Sequence, residues 1–172
     1  MKRKVVLSLS LVATFLTGCL APSARATVYN PTDDFSIANG NPNGVWTYGW
    51  MPTSFATFTP FVNRTMGSGG VNPQWGGWAS DLTPTIWLNR TTGAIVGTPV
   101  GWLALHPGNG NEPCALRWTA GTPGACRAIG QFLAGDGGTM QVGVRHNTNW
   151  LWQAVNAGAF TSAVEVAAGD VI

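Results

Sequence analysis

Residues that favour turns divide this 172-residue chain into short segments, with roughly one turn every 8 to 15 positions. Glycine contributes 23 residues and proline 11, and both interrupt regular secondary structure. The 3.6-residue periodicity of an amphipathic helix is nearly absent between the turns, where short β-like runs prevail. The sequence therefore predicts an all-β protein, an antiparallel β-sandwich with one face of each sheet buried.

Ten segments are predicted to be strands. They are residues 34–37, 45–50, 55–58, 85–89, 102–106, 115–119, 127–133, 140–146, 151–155 and 160–166. Side chains alternate along 102–106, so Leu103 and Leu105 are expected to face the core. One segment, 150–157, is equally compatible with a short helix.

Residues 1–26 have the composition of a bacterial export signal. Three basic residues at positions 2–4 precede an apolar run at 5–15. About 11 apolar residues are too few to cross a hydrocarbon core of ~30 Å, so we expect no transmembrane span in the mature chain. The sequence predicts a signal peptide at 1–26 and one domain at 27–172.

Two processing sites are compatible with this signal. The A-x-A pattern at 24–26 would leave Thr27 as the first mature residue. The sequence LTGC at 16–19 looks like a lipobox, at which Cys19 would be acylated. The expected location is therefore secreted, periplasmic or lipid-anchored at the outer membrane.

Charge excludes one large class of partners. Without residues 1–26, five arginines and seven acids remain, and the formal net charge changes from +2 to −2. A surface of this kind has no basic field for nucleic acid, so we expect no nucleic-acid partner. We also expect a monomer.

Two cysteines remain after the signal, Cys114 and Cys126, and a Gly-Thr-Pro-Gly turn at 121–124 lies between them. If the flanking segments pair antiparallel about Ala120, the two cysteines lie opposite each other. We therefore expect a cross-strand disulfide bond, which would suit an oxidising compartment.

The last eight residues predict an incomplete final strand. Residues 165–172 are typical of the end of one strand, a turn and the start of another. The sandwich is therefore expected to lack its last strand, unless the sequence is a fragment. A missing strand would leave an exposed sheet edge.

Several motifs together resemble a family of exported bacterial β-sandwich domains that occur in proteins with a PEP-CTERM sorting tag and in other envelope proteins. The motifs are DFS at 34–36, NPNGVWTYGW at 41–50, PTIWLN at 84–89, LALHPG at 103–108 and RWTA at 117–120. The resemblance extends from Thr27 to the end of the sequence, which has no sorting tag. It implies a jelly roll of the galactose-binding or carbohydrate-binding-module type.

Tryptophan is the main candidate for ligand binding. Nine tryptophans exceed what one small core needs, and an indole can stack on a sugar and donate a hydrogen bond from its N–H. Two of them lie in a Gly-rich segment predicted to be a loop, and others share one strand face by the period of two. The candidate ligand-binding residues are Trp75, Trp78, Trp50, Tyr48, Trp150, Trp152 and Asn149.

Ionisable groups are scarce, and no catalytic residue is predicted. Asp33, Asp34 and Asp170 are weak candidates for a structural Ca²⁺ with backbone carbonyls, and no other cofactor is expected. The sequence thus favours a non-catalytic module that binds carbohydrate or an envelope surface.

Two alternatives remain. The first is a small secreted glycoside or ester hydrolase, which needs either two convergent carboxylates or a Ser/His pair. Asp33 or Asp34 close to Asp136 or Glu112 would favour it. The second is a purely structural envelope domain, in which every tryptophan fills the core.

Overall fold

The computed structural model describes residues 26–67, 70–78, 83–135 and 137–172. The predicted signal peptide up to residue 25, with Cys19, lies outside the described residues. So does Asp136, one of the acids considered for the hydrolase alternative.

The described residues form eleven strands and contain no α-helix. The strands are β1 Trp46–Trp50, β2 Thr59–Pro60, β3 Asn63–Met66, β4 Pro73–Gly76, β5 Thr85–Leu88, β6 Leu103–His106, β7 Cys114–Trp118, β8 Gly124–Phe132, β9 Gln141–His146, β10 Asn149–Val155 and β11 Gly158–Val166. Every pairing is antiparallel. The prediction of an all-β, antiparallel sandwich is confirmed.

Two sheets form the sandwich, one of strand order β2-β1-β7 and the other of order β3-β4-β5-β6. Their facing sides bury one cluster of apolar side chains: Phe35, Trp46, Tyr48, Phe61, Trp75, Ile86 and Leu88. Leu103 and Leu105 of β6 pack against this cluster, as the alternation predicted. Each such side chain contributes roughly 1.5–3 kcal/mol when fully buried.

The segment at 34–36 closes the sandwich without forming a strand. Phe35 enters the core and its ring lies edge-on to Tyr48, with centroids 4.9 Å apart. Trp46 Nε1 donates to Asp34 Oδ2 at 2.9 Å, and Trp75 Nε1 donates to Ser36 O at 2.8 Å. The prediction of a strand at 34–37 is therefore wrong. Hydrogen bonds from two indole N–H groups position this segment, and it does not pair with a neighbouring strand.

The remaining strands form two ribbons, β8 with β11 and β9 with β10. An aromatic cluster joins the ribbons: the Trp152 ring lies 5.8 Å from Phe132 and 5.6 Å from Phe160. Gly130 is required beneath this cluster, because a Cβ there would come within 2.7 Å of the Phe160 ring. Segment 149–155 is thus a strand, and the helical alternative for this region is wrong.

The environments of Trp75 and Trp78 predict losses of stability of different size for the same substitution. Trp75 is 3% exposed and Trp78 is 38% exposed. We expect Trp75→Ala to lower the free energy of unfolding by about 3–5 kcal/mol, as for other buried tryptophans. Trp78→Ala should lower it by about 1 kcal/mol or less. Urea unfolding of both variants measures the difference, and similar losses would contradict the burial described here.

Candidate functional site

The predicted aromatic platform on β1 faces inward. Tyr48 is 0% exposed, and it lies in the core with Trp46. Burial, with the Asp34 carboxylate nearby, raises the pKa of Tyr48 to about 12. Tyr48 is thus not available for ligand binding, and its prediction as a contact residue is wrong.

Trp75 is also unavailable. It lies in β4, where its side chain points into the core, and it is not in a loop. The Gly-rich segment around it pairs with β3 and β5, and the Trp75 side chain is 3% exposed. The prediction of Trp75 as a ligand contact is wrong for this reason.

Trp78 follows β4 and is exposed. Its ring lies against the half-buried ring of Trp50, with centroids 5.8 Å apart and planes at 40°. Gly108 lies between the Trp78 ring and the Glu112 side chain. If residue 108 had a side chain, its Cβ would be 3.1 Å from Trp78 Cη2 and 3.1 Å from the carboxyl carbon of Glu112. We name this arrangement of Trp50, Trp78, Gly108 and Glu112 the Trp78 surface.

A tight turn holds the carboxylate of the Trp78 surface. The N–H of Gly110 donates to Glu112 Oε2 at 2.9 Å, and the N–H of Gly108 donates to Glu112 O at 2.8 Å. Asn111 completes the turn at φ 67°, a left-handed conformation that asparagine tolerates. The carboxylate oxygens can also accept a hydrogen bond from a ligand hydroxyl beside the indole.

Trp150 forms a second exposed aromatic group. It is 43% exposed, its ring lies 5.6 Å from Phe55 in an edge arrangement, and the Arg145 guanidinium lies 5.1 Å from its centroid. Asn149 beside it is exposed, whereas Trp152 is half-buried in the ribbon cluster. A binding role for Trp78, Trp150 and Asn149 stays a prediction.

A groove runs between β6, β7 and the two ribbons. Its volume is about 2460 Å³, larger than the ~300–1000 Å³ of most small-molecule sites. Leucines of β6 and β7 line it, together with Arg117, Arg127 and Arg145. None of the described aspartates and glutamates lines the groove. The groove is therefore apolar and cationic in a domain whose expected net charge is negative.

The two cysteines do not meet. Cys114 and Cys126 are free, because their strands belong to different sheets: β7 pairs with β1, and β8 pairs with β11. Cys114 Sγ instead lies 3.1 Å from Thr85 O and 2.7 Å from His106 O. The disulfide prediction is wrong, since it assumed that the segments flanking Ala120 pair with each other.

The three aspartates considered for Ca²⁺ have separate partners. Asp33 accepts a hydrogen bond from Asn30, Asp34 accepts one from Trp46, and Asp170 lies in a turn near the end of β9. Among the described residues, no group of three or more His, Cys, Asp or Glu side chains is placed to hold a metal ion. Each of the three carboxylates accepts a hydrogen bond from a donor in its own turn or from a neighbouring side chain.

Sequence reasoning missed the tertiary partners of the exposed rings. Glu112 is 34 residues from Trp78, and Phe55 is far in sequence from Arg145 and Trp150. The Arg117 guanidinium lies 4.7 Å from the centroid of the Phe58 ring, whose place in sequence gives no sign of this contact. The one usable signal was the Gly- and Asn-rich segment at 108–111, which marks a tight turn beside a carboxylate.

Comparison with known proteins gives no relative: no family model, curated protein or solved structure matches this chain. The structure alone therefore defines the class, an antiparallel β-sandwich with two appended ribbons. No helix among the described residues has the length and apolar character needed to cross a membrane.

The free cysteines predict a pattern of alkylation. Burial raises the pKa of the Cys114 thiol well above its ordinary value, so little thiolate forms at pH 8. We expect iodoacetamide to modify Cys114 in the native protein much more slowly than in the denatured protein. Peptide mapping by mass spectrometry without reductant measures this for each cysteine. Recovery of a linked Cys114–Cys126 peptide would contradict the structure.

Asp170 predicts an acid dependence of stability. Hydrogen bonds from the Ala167 N–H, from Asn147 Nδ2 and from His146 lower the pKa of Asp170 from 3.8 to about 2. The unfolded chain therefore binds more protons than the folded chain in this interval. The contribution of Asp170 is present above pH 3.8 and is lost as the pH falls through about 2.

The variant Asp170→Asn should thus be less stable than the parent at pH 7, and its stability should change less between pH 4 and pH 2. Asp33→Asn, in an exposed turn, is the matched control. Denaturant unfolding at several pH values measures both. Parallel pH curves for the parent and Asp170→Asn would refute this role of Asp170.

Proposed function

We propose that this protein is an exported, non-catalytic β-sandwich module that binds carbohydrate at the Trp78 surface. The observation that carries the proposal is the exposed Trp78 ring beside the Glu112 carboxylate. An indole face covers the apolar C–H face of a sugar, and a carboxylate oxygen accepts hydrogen bonds from its hydroxyl groups. This combination provides both contact area and orientation.

The fixed geometry of the surface supports binding. Trp50 supports the Trp78 ring from one side, and the turn at 108–112 holds Glu112 by two backbone N–H groups. Groups that are already ordered lose less conformational entropy when a ligand binds. A sugar could therefore be bound without rearrangement of this surface.

Non-catalytic binding agrees with the carboxylates that the structure describes. Glycoside hydrolysis needs two carboxyl groups that converge on one bond. The contacts of the described residues bring one carboxylate, that of Glu112, to the Trp78 ring. Asp33 accepts a hydrogen bond from Asn30, and Asp34 accepts one from Trp46.

The proposed location follows from the sequence. A basic start, a short apolar run and two candidate processing sites favour export, with Cys19 as the lipid attachment point if the lipobox is used. The resemblance to exported bacterial β-sandwich domains favours the same location. A module displayed outside the cytoplasm would meet envelope or environmental polysaccharides.

The test is a glycan array followed by affinity electrophoresis on the glycans that bind. The parent protein should bind at least one glycan class, and Trp78→Ala should weaken this binding at least tenfold, a change of about 1.4 kcal/mol. Glu112→Gln should weaken it less, because the amide oxygen still accepts hydrogen bonds. Trp150→Ala removes a similarly exposed indole at another place, and it is the matched control.

Two results would count against the proposal. Equal losses in Trp78→Ala and Trp150→Ala would show that binding is not located at the Trp78 surface. No glycan binding by a folded parent would leave the purely structural domain as the better interpretation, in agreement with the burial of Tyr48 and Trp75.

A further inference from the structure

The exposed indoles of Trp78 and Trp150 have opposite electrostatic surroundings. The Arg145 guanidinium lies 5.1 Å from the centroid of the Trp150 ring, whereas the Trp78 ring adjoins the Glu112 side chain across Gly108. Within the described ranges, the rings that an arginine covers are those of Trp75, Phe58, Phe55 and Trp150. The Trp78 ring therefore has a negative neighbour and no arginine of the described chain over it.

The charge of Glu112 is not neutralised by another side chain that the structure describes. The ion pair found among these residues joins His146 and Asp170, and it does not involve Glu112. Glu112 accepts its hydrogen bond from the backbone N–H of Gly110, which carries no formal charge. Because the Glu112 side chain is half-buried, water screens its charge less than it would on an open surface. The Trp78 surface is thus a negatively charged site.

Gly108 provides the space in which the ring and the carboxylate approach each other. Gly108 is buried and is not in the left-handed conformation, so its backbone does not itself require glycine. A Cβ at this position would instead crowd Trp78 and Glu112 at the same time. The absence of a side chain at 108 therefore allows the Glu112 carboxylate to lie at the edge of the Trp78 ring, near Cη2.

A ligand with a positive charge at its rim would use both parts of this arrangement. A sugar that stacks on the indole face directs its equatorial substituents outward, toward the ring edge where Glu112 lies. A hydroxyl group there gains an ordinary hydrogen bond, whereas an ammonium group gains a charge-assisted one, which is roughly twice as strong. The indole rings of Trp78 and Trp50 add a further attraction for a cation.

We propose that the Trp78 surface binds amino sugars that have a free, protonated amino group, in preference to neutral and N-acetylated sugars. Trp78 would stack on the sugar ring, and Glu112 would accept a hydrogen bond from the ammonium group. This inference rests on the proposed function, carbohydrate binding at the Trp78 surface, and it specifies the chemical class of the ligand. N-acetylation removes the charge and should remove the preference.

The test compares three hexasaccharides that share a β-1,4-linked backbone and differ at carbon 2. They are the oligomers of glucosamine, of N-acetylglucosamine and of glucose, titrated into the full chain by calorimetry at a mildly acidic pH, where the amines are protonated. The glucosamine oligomer should bind at least about fivefold more tightly than either of the others. Added salt should reduce this preference, because it screens partly exposed charges.

Two variants separate stacking from charge. Trp78→Ala should weaken binding of the glucosamine oligomer at least about tenfold, because it removes the stacking surface. Glu112→Gln keeps a hydrogen-bond acceptor and removes the charge, so the ratio between glucosamine and glucose affinities should fall toward one. Glu165→Gln makes the same change at an exposed glutamate of β11 and is the matched control. It should leave the ratio unchanged.

A capped lysine hexapeptide controls for nonspecific attraction between a polycation and a negatively charged protein. It carries as many positive charges as the glucosamine oligomer but has no sugar ring to stack on Trp78. We expect it to bind at least about tenfold more weakly than the glucosamine oligomer. Equal binding of the two would overturn the proposal, since net charge would then explain the affinity. Because this comparison and the sugar series use the parent protein, the proposal stays falsifiable if a variant does not fold.

The results distinguish failure of this inference from failure of the proposed function. Equal binding of the three oligomers, lost in Trp78→Ala, would overturn the preference for amino sugars and leave carbohydrate binding at the Trp78 surface in place. A glucosamine preference that persists in Glu112→Gln would also overturn it. Binding of other glycans on the array, with none of the glucosamine oligomer, would overturn this inference alone. No glycan binding of any kind by the folded parent would overturn both.

Discussion

Two indole hydrogen bonds hold the segment on which the sandwich depends. Trp46 and Trp75 come from opposite sheets, and their ring N–H groups donate to Asp34 and to the carbonyl of Ser36. Phe35, between these two acceptors, is thereby fixed in the core beside Tyr48. Since the segment has no strand partner, these side chains replace the backbone ladder that would otherwise position it. Much of the unusual tryptophan content therefore serves the core, and only the rings that lie outside it are free for recognition.

The strands and turns were largely predictable, because they depend on local composition. Alternating side chains and turn residues identified β1 and β5–β11 closely, whereas β2–β4 are short and carry no clear alternation. The pairing of strands was not predictable, because it depends on residues far apart in sequence. The cysteines show this best: a turn between two strands suggested a hairpin, yet β7 and β8 belong to separate sheets. The same difficulty affected Trp75 and Trp78, which differ by three positions and have opposite environments.

The candidate site combines parts that the chain contributes from three regions. Trp50 ends β1, Trp78 follows β4, and Glu112 closes a turn before β7, with Gly108 providing the space that lets ring and carboxylate approach. The residue types alone could identify Trp50, Trp78 and Glu112 as candidates. Their proximity in the folded protein depends on the pairing of β1 with β7 and on the packing of the two sheets. The groove arises from the same topology, because both sheet edges and both ribbons border it.

The separation of Cys114 from Cys126 bears on how this domain can be handled. No covalent bond between the two thiols contributes to the fold, so the free energy of unfolding of the described residues should not depend on the thiol–disulfide potential of the medium. The described fold therefore forms without oxidation of Cys114 or Cys126. Production in a reducing cytoplasm and refolding in a reducing buffer should give the same native state.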